Sequence, residues 1–104
     1  MTTFFYNYTP HKITLNDGTS FDSMGVARVS NDFTKFDDNK ICKVTYGNIT
    51  GLPAPKKGVY YIVSALVLAA AKADGRKDCV APATGHPDCV RKDGFIVSVP
   101  GFVQ

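Results

Sequence analysis

Gly58-Val-Tyr-Tyr-Ile-Val-Ser-Ala-Leu-Val-Leu-Ala-Ala-Ala-Lys-Ala-Asp-Gly-Arg-Lys77 decides the reading of this chain. Its first part, Val59 to Val63, is a run of β-branched and aromatic residues, the composition of a buried strand. Ser64 then stands where a hydroxyl accepts from an orphan N–H of a helix, as an N-cap does. Ala65 to Ala73 is a helix, and Gly75 is placed to stop it at C′. The helix is apolar nearly all round, so most of its faces need cover. A sheet supplies one cover. A second copy of the same helix supplies another, because small domains leave much apolar surface wet. The expectation is a homodimer through this helix, with a helix buried wholly inside one small fold as the simpler arrangement.

Working outward, the first half reads as short strands. Thr3 to Tyr8 is aromatic and β-prone. Ile13 to Leu15 precedes the turn signal Asn16-Asp17-Gly18, from which Ser20-Phe21 returns. Gly25 to Ser30 alternates with period two around Arg28. Phe33 to Phe36 and Ile41 to Tyr46 flank the turn Asp37-Asp38-Asn39-Lys40. Leu52 to Gly58 carries two prolines and reads as an extended connector. After the helix, Asp78 to Asp88 is punctuated by Pro82, Gly85 and Pro87 and reads as a loop. Cys89 to Arg91 and Phe95 to Val99 are strands around Lys92-Asp93-Gly94. The fold class is α+β: a small β-rich domain of antiparallel strands with one main buried helix.

The chain has 104 residues, enough for one domain spanning 1–104. Its net charge of +3 is spread as Lys and Arg among Asp, without the basic stripe of a DNA or RNA binder. The segment Met1 to Tyr8 has neither the basic start nor the apolar run of a signal peptide. The apolar run Ala65 to Ala71 is too short to span a bilayer. Three cysteines, an odd count, suit reduced thiols in a cytosol.

Candidate chemistry is sparse. Cys79, His86 and Cys89, with His11 or Cys42, are ligand types for zinc, but the tight C-x-x-C pair of structural zinc is missing. Neither histidine sits in a motif that pairs it with a cysteine nucleophile. Ser64 follows a strand, yet lacks the flanking glycines of a nucleophile elbow. Asp37 and Asp38 are explained by a turn. No catalytic residue, metal or cofactor is expected. What remains suits an anionic ligand. Arg28 and Arg91 lie in expected strands, where a long cation is unusual, and arginine grips phosphate bidentately. Lys77, beside Arg76, closes the helix, and Lys57 sits in the connector. Thr84 and Asp88 can bond ribose hydroxyls.

The motifs Thr9-Pro-His-Lys-Ile-Thr14, Gly25-Val-Ala-Arg-Val29, Tyr46-Gly-Asn-Ile-Thr-Gly-Leu-Pro53, Val59-Tyr-Tyr-Ile-Val-Ser64, Arg76-Lys-Asp78 and Arg91-Lys-Asp-Gly94 with Gly101-Phe102 run through nearly the whole chain. In that order they resemble a group of small phage-encoded proteins, the first-described Thoeris anti-defence family. The resemblance implies a molecular sponge. Such a protein captures a cyclic ADP-ribose immune signal, usually glycocyclic ADP-ribose, without cleaving it. It implies β-rich dimers or larger assemblies of dimers, acting in the cytoplasm of the infected bacterial host, and in some members a second site for cyclic oligonucleotides. Carried onto this sequence, Arg28 and Arg91 are the implied pyrophosphate ligands, and Cys79 to Asp88 is the implied closing loop. The chain is short for the family, with one clear helix. Two other readings compete: a phage structural or protein-interaction module without a nucleotide ligand, and a small enzyme using Cys79 or Cys89.

Overall fold

A computed structural model describes residues 3–104. Its centre is a four-stranded sheet in the order β1-β6-β7-β10. These strands are Phe4–Asn7 (β1), Val59–Ile62 (β6), Cys79–Pro82 (β7) and Phe102–Val103 (β10). Three two-stranded antiparallel sheets surround it: Ile13–Thr14 with Ser20–Phe21 (β2, β3), Arg28–Phe33 with Val44–Thr50 (β4, β5), and Val90–Lys92 with Phe95–Ser98 (β8, β9). The one helix among the described residues, α1, spans Ala65–Ala73. The chain is thus a small mixed α+β domain.

The central sheet departs from the antiparallel expectation. β6 runs parallel to both β1 and β7, and only the β7–β10 pair is antiparallel. The reason lies in the decisive stretch. β6 passes straight into α1, and a helix is the usual crossover between two parallel strands. The returning strand is Cys79–Pro82, which the prolines and glycine downstream had disguised as loop. Its residues Cys79, Val80 and Ala81 are buried. The loop proper begins after it.

Alternation along β6 and β7 divides the core. Tyr61, Val63, Cys79 and Ala81 face α1, where Val67, Leu68 and Ala71 meet them. Ile62 and Val80 face the other way, onto Ile13, Val99 and the rings of Phe5, Phe21 and Phe102. Phe5 stacks on Phe102 at 4.9 Å. Burial of Val67 and Leu68 contributes about 1.5–3 kcal/mol each. The opposite face of α1 is open: Ala65, Leu66, Ala69 and Ala73 are exposed in the single chain. The expectation that most helix faces are covered is therefore met on one face only.

Local chemistry sets the helix ends. The Ser64 hydroxyl accepts from Val67 N at 3.3 Å. Asp74 is the C-cap, and Gly75 follows at φ +84°, a conformation that disfavours a side chain. Gly75 N donates to Lys72 O, and Arg76 N donates to Ala71 O at 2.8 Å. This pair of bonds is a Schellman motif. It turns Arg76 back under the helix. There Nε and Nη2 donate to the two carboxylate oxygens of Asp78, both at 2.8 Å, and Nη2 also donates to Pro53 O at 3.0 Å. The connector, the helix end and the start of β7 are joined at this point.

The strand Gly25–Ser30 expected from the sequence begins later, at Arg28, and continues to Phe33. Before it, Ala27 N donates to Tyr8 O, which draws Gly25–Ala27 along the end of β1. The β4–β5 ribbon is longer than its sequence pattern suggests because Thr45 to Thr50 pair back to Asp32 and Arg28. No helix among the described residues is long and apolar enough to cross a membrane.

Candidate functional site

In a strand–helix–strand unit the helix begins where the first strand ends, so open space at the strands' carboxyl ends is the usual ligand position. A cavity of about 720 Å³ lies there. Ser64 and Ala65 open α1 at its floor, and Ala81, Pro82 and Thr84 leave β7 beside them. Thr9 to Thr14 forms one wall, and Phe95 to Val99, from β9 and the residue after it, forms another, the two meeting where Val99 N donates to Thr14 O. The Ser64 cap takes Val67 N, which leaves the N–H groups of Ala65 and Leu66 without an acceptor inside the helix.

The wall after β1 is shaped by Asn7, which is 1% exposed. Its Oδ1 accepts from Thr9 N at 2.9 Å and Thr9 Oγ1 at 2.6 Å. Its Nδ2 donates to His11 O at 2.7 Å and Phe21 O at 3.0 Å. Every bonding position suited to this turn is filled, and the Thr9–Pro10–His11 bend is fixed. His11 and Lys12 are exposed on the cavity lining.

The β9 wall is mostly apolar. Phe95 is 77% exposed, the most exposed of the large hydrophobic residues among those described. Ile96 and Val97 continue the surface. The turn that delivers Phe95 has Asp93 at φ +53° and Gly94 at φ +82°. Two consecutive left-handed residues make the tight hairpin that Asp-Gly favours. The cavity therefore has a polar side with hydroxyl, imidazole and ammonium groups, and an apolar side.

The residues singled out from sequence divide into groups. Thr84 lines the cavity, and Arg91 Nη2 donates to Thr84 O at 2.7 Å. Asp88 is in the same loop, its N donating to His86 Nδ1 at 3.0 Å. Thr84 and Arg91 come together, while Asp88 and Arg91 lie outside the cavity lining. Lys77 instead borders a smaller cavity of about 540 Å³ at the amino ends of β6 and β7, with Lys56 and Tyr60. Lys57 is exposed in the connector leading to that end. Arg28 is exposed at the root of the β4–β5 ribbon, opposite Thr50, and lies outside the lining of both cavities. One ligand in the larger cavity does not meet all six residues.

The cysteines separate as well. Cys79 lies within β7, 1% exposed, while Cys89 is half-buried after the loop. Burial pushes the Cys79 thiol up to about 11. A thiol so disfavoured as thiolate is a poor nucleophile and a poor metal ligand. Among the described residues, no three of His, Cys, Asp or Glu gather as a metal site.

Sequence reading missed Phe95 as a cavity residue, and it missed Asn7. The Asn-x-Thr-Pro order at the end of an aromatic strand is a side-chain turn signal that points to Asn7. No family model, curated protein or solved structure matched the chain.

Proposed function

We propose that the chain binds a cyclic ADP-ribose signal, such as glycocyclic ADP-ribose, and sequesters it uncleaved in the cytoplasm of an infected bacterial host. The observation that carries this reading is the cavity at the carboxyl ends of β6 and β7. Its volume suits a small-molecule ligand. The exposed Phe95 ring on its wall offers a stacking surface for a base, worth roughly 1–3 kcal/mol. Its other side offers Thr84 and His11 to sugar hydroxyls and Lys12 to a phosphate. Arg91 stands beside Thr84 and has further donors to turn toward the pyrophosphate. The motif resemblance supplies the ligand's identity. Capture against a competing effector calls for nanomolar affinity, about −12 kcal/mol.

A second copy belongs to this proposal. The radius of gyration is 15.5 Å, against about 13 Å for a compact chain of this length. Phe33, Phe36 and Ile41 on the β4–β5 arm are at least 60% exposed, and Leu66 is open on α1. Association through the open helix face and the arms removes this apolar surface from water. Sedimentation at micromolar concentration is expected to give a dimer or a larger assembly of dimers. The same arms favour the competing protein-interaction reading, in which a different chain covers them.

The test is capture and release. The protein is mixed with glycocyclic ADP-ribose, free ligand is filtered away, and the protein is heat-denatured. Recovery of intact ligand at near-stoichiometric yield supports the sponge. Recovery of an altered product makes the chain an enzyme. Absence of capture leaves the interaction reading.

A further inference from the structure

Asn16 joins three segments that frame the cavity. Its backbone N donates to Val99 O at 2.8 Å. Its side-chain Oδ1 accepts from Ser98 Oγ at 2.6 Å, across 82 residues of sequence. Its Nδ2 donates to Asp88 O at 2.9 Å, across 72 residues. A backbone carbonyl can only accept, so the Asp88 contact fixes which end of the amide is nitrogen. The Ser98 hydroxyl then has to be the donor. Both ends of one amide are assigned without ambiguity.

Of the held residues, Ser98 and Val99 line the cavity and Asp88 does not. Ser98 and Val99 end the apolar wall, and Asp88 ends the loop that starts at Thr84. The loop's other bonds are local: Cys89 N to His86 O, Asp88 N to His86 Nδ1, and Arg91 to Thr84 O. Those bonds fold the loop upon itself and upon the β8–β9 hairpin. The Asn16 amide ties that unit to the β2–β3 turn, which Val99 N also grips through Thr14 O at 3.0 Å.

We propose that Asn16 is a positioning residue that holds the Thr84–Asp88 loop and the β9 wall at their working separation, and thereby sets the residence time of a bound ligand. The proposal rests on the reading of this cavity as the ligand site. Asn16 does not line the cavity, so its effect is on retention and not on direct contact. A held loop keeps Thr84 against a bound ligand, a contact made only after encounter. Loosening the tie speeds departure and leaves encounter unchanged.

Two variants divide the amide's work. Asn16→Asp keeps the acceptor for Ser98 and sets a carboxylate against the Asp88 carbonyl. Ser98→Ala removes the other bond and keeps the Asp88 tie. Amide hydrogen exchange is followed in the ligand-free protein, and binding of glycocyclic ADP-ribose is followed by stopped flow. Asn16→Asp is expected to raise exchange across residues 84–90, with a melting temperature close to the parent's. Its ligand dissociation is expected to rise roughly three- to tenfold, the equivalent of one lost hydrogen bond, with association within about twofold. Ser98→Ala is expected to raise exchange across residues 95–99 instead. Unchanged exchange at residues 84–90 in Asn16→Asp overturns the positioning role. Unchanged dissociation, or a loss confined to association, overturns the role in residence time. A parent protein that takes up no probe overturns the binding reading and the residence-time role together, and exchange then decides positioning alone.

Discussion

Removing the Arg76 guanidinium is expected to be among the costliest single changes outside the apolar core. The Arg76 and Asp78 side chains retain only 19% and 16% of their exposure. Arg76→Ala deletes two charge-assisted bonds at 2.8 Å and one bond to Pro53 O. It also leaves a mostly covered carboxylate without its partner. Single bonds to charged groups contribute about 1.5–3 kcal/mol, and an orphaned buried charge costs about 3–5. Because the pair is not fully buried, water recovers part of this, and roughly 3 kcal/mol is the working figure. At about 2.1 cal/mol/K per residue the chain's unfolding entropy is about 0.22 kcal/mol/K, so the melting temperature should fall about 14 °C. The exposed pair Lys12–Asp22, at 4.0 Å, is the control, and Lys12→Ala should change stability by less than about 0.5 kcal/mol. The pH dependence follows. The hydrogen bond from Arg76 holds the Asp78 carboxyl below the ordinary carboxylate range. The unfolded chain thus binds that proton more tightly than the folded one. The stabilisation is whole above about pH 4 and is lost as pH falls through the depressed folded value. Urea unfolding of Arg76→Ala and Asp78→Asn from pH 7 to pH 2 measures both effects. A loss below about 0.5 kcal/mol at pH 7 in both variants would refute the reasoning.

Other outcomes are checked as readily. Asn7→Asp keeps the bonds from Thr9 but cannot donate to His11 O and Phe21 O, and should destabilise by about 2–4 kcal/mol in urea. Phe95→Ala removes a side chain that is 77% exposed, so stability should change by less than about 0.5 kcal/mol, while ligand affinity falls roughly tenfold or more in a calorimetric titration. Arg91→Ala should weaken the same titration more than Arg28→Ala, because only Arg91 is fastened to a cavity residue. At pH 8 an alkylating reagent should modify Cys42 and Cys89 quickly and Cys79 only after denaturant is added, as intact mass will show.

Helix α1 was legible from sequence to both ends because each end is decided locally. Ser64 caps the start, the alanines carry the middle, and Gly75 turns out at the far end. The tight turns at Asn16–Gly18 and Asp93–Gly94 were legible for the same reason. Strand β7 was not. Cys79 to Pro82 is short, ends on Pro82 and is followed by Gly85 and Pro87, and its pairing with β6 depends on a crossover that no local pattern records. The two-residue strand β10 exists only because Ala81 and Pro82 offer it an edge. Of the residues singled out for binding, Thr84 alone lines the larger cavity, and Arg91, seven residues on, is fastened to it. Arg28, Lys57 and Lys77 were chosen for their charge, and charge does not reveal which end of a sheet a residue occupies. Phe95 was read as a strand residue, since an exposed ring and a buried one look alike in a sequence.

The most direct test of the central claim is an amide NMR titration with glycocyclic ADP-ribose. The account predicts saturating shifts at residues 11–14, 64–66, 84 and 95–99, around the cavity at the carboxyl ends of β6 and β7. Shifts confined to residues 56–60 and 75–78, at the opposite end of the sheet, or no shifts at millimolar ligand, would contradict it.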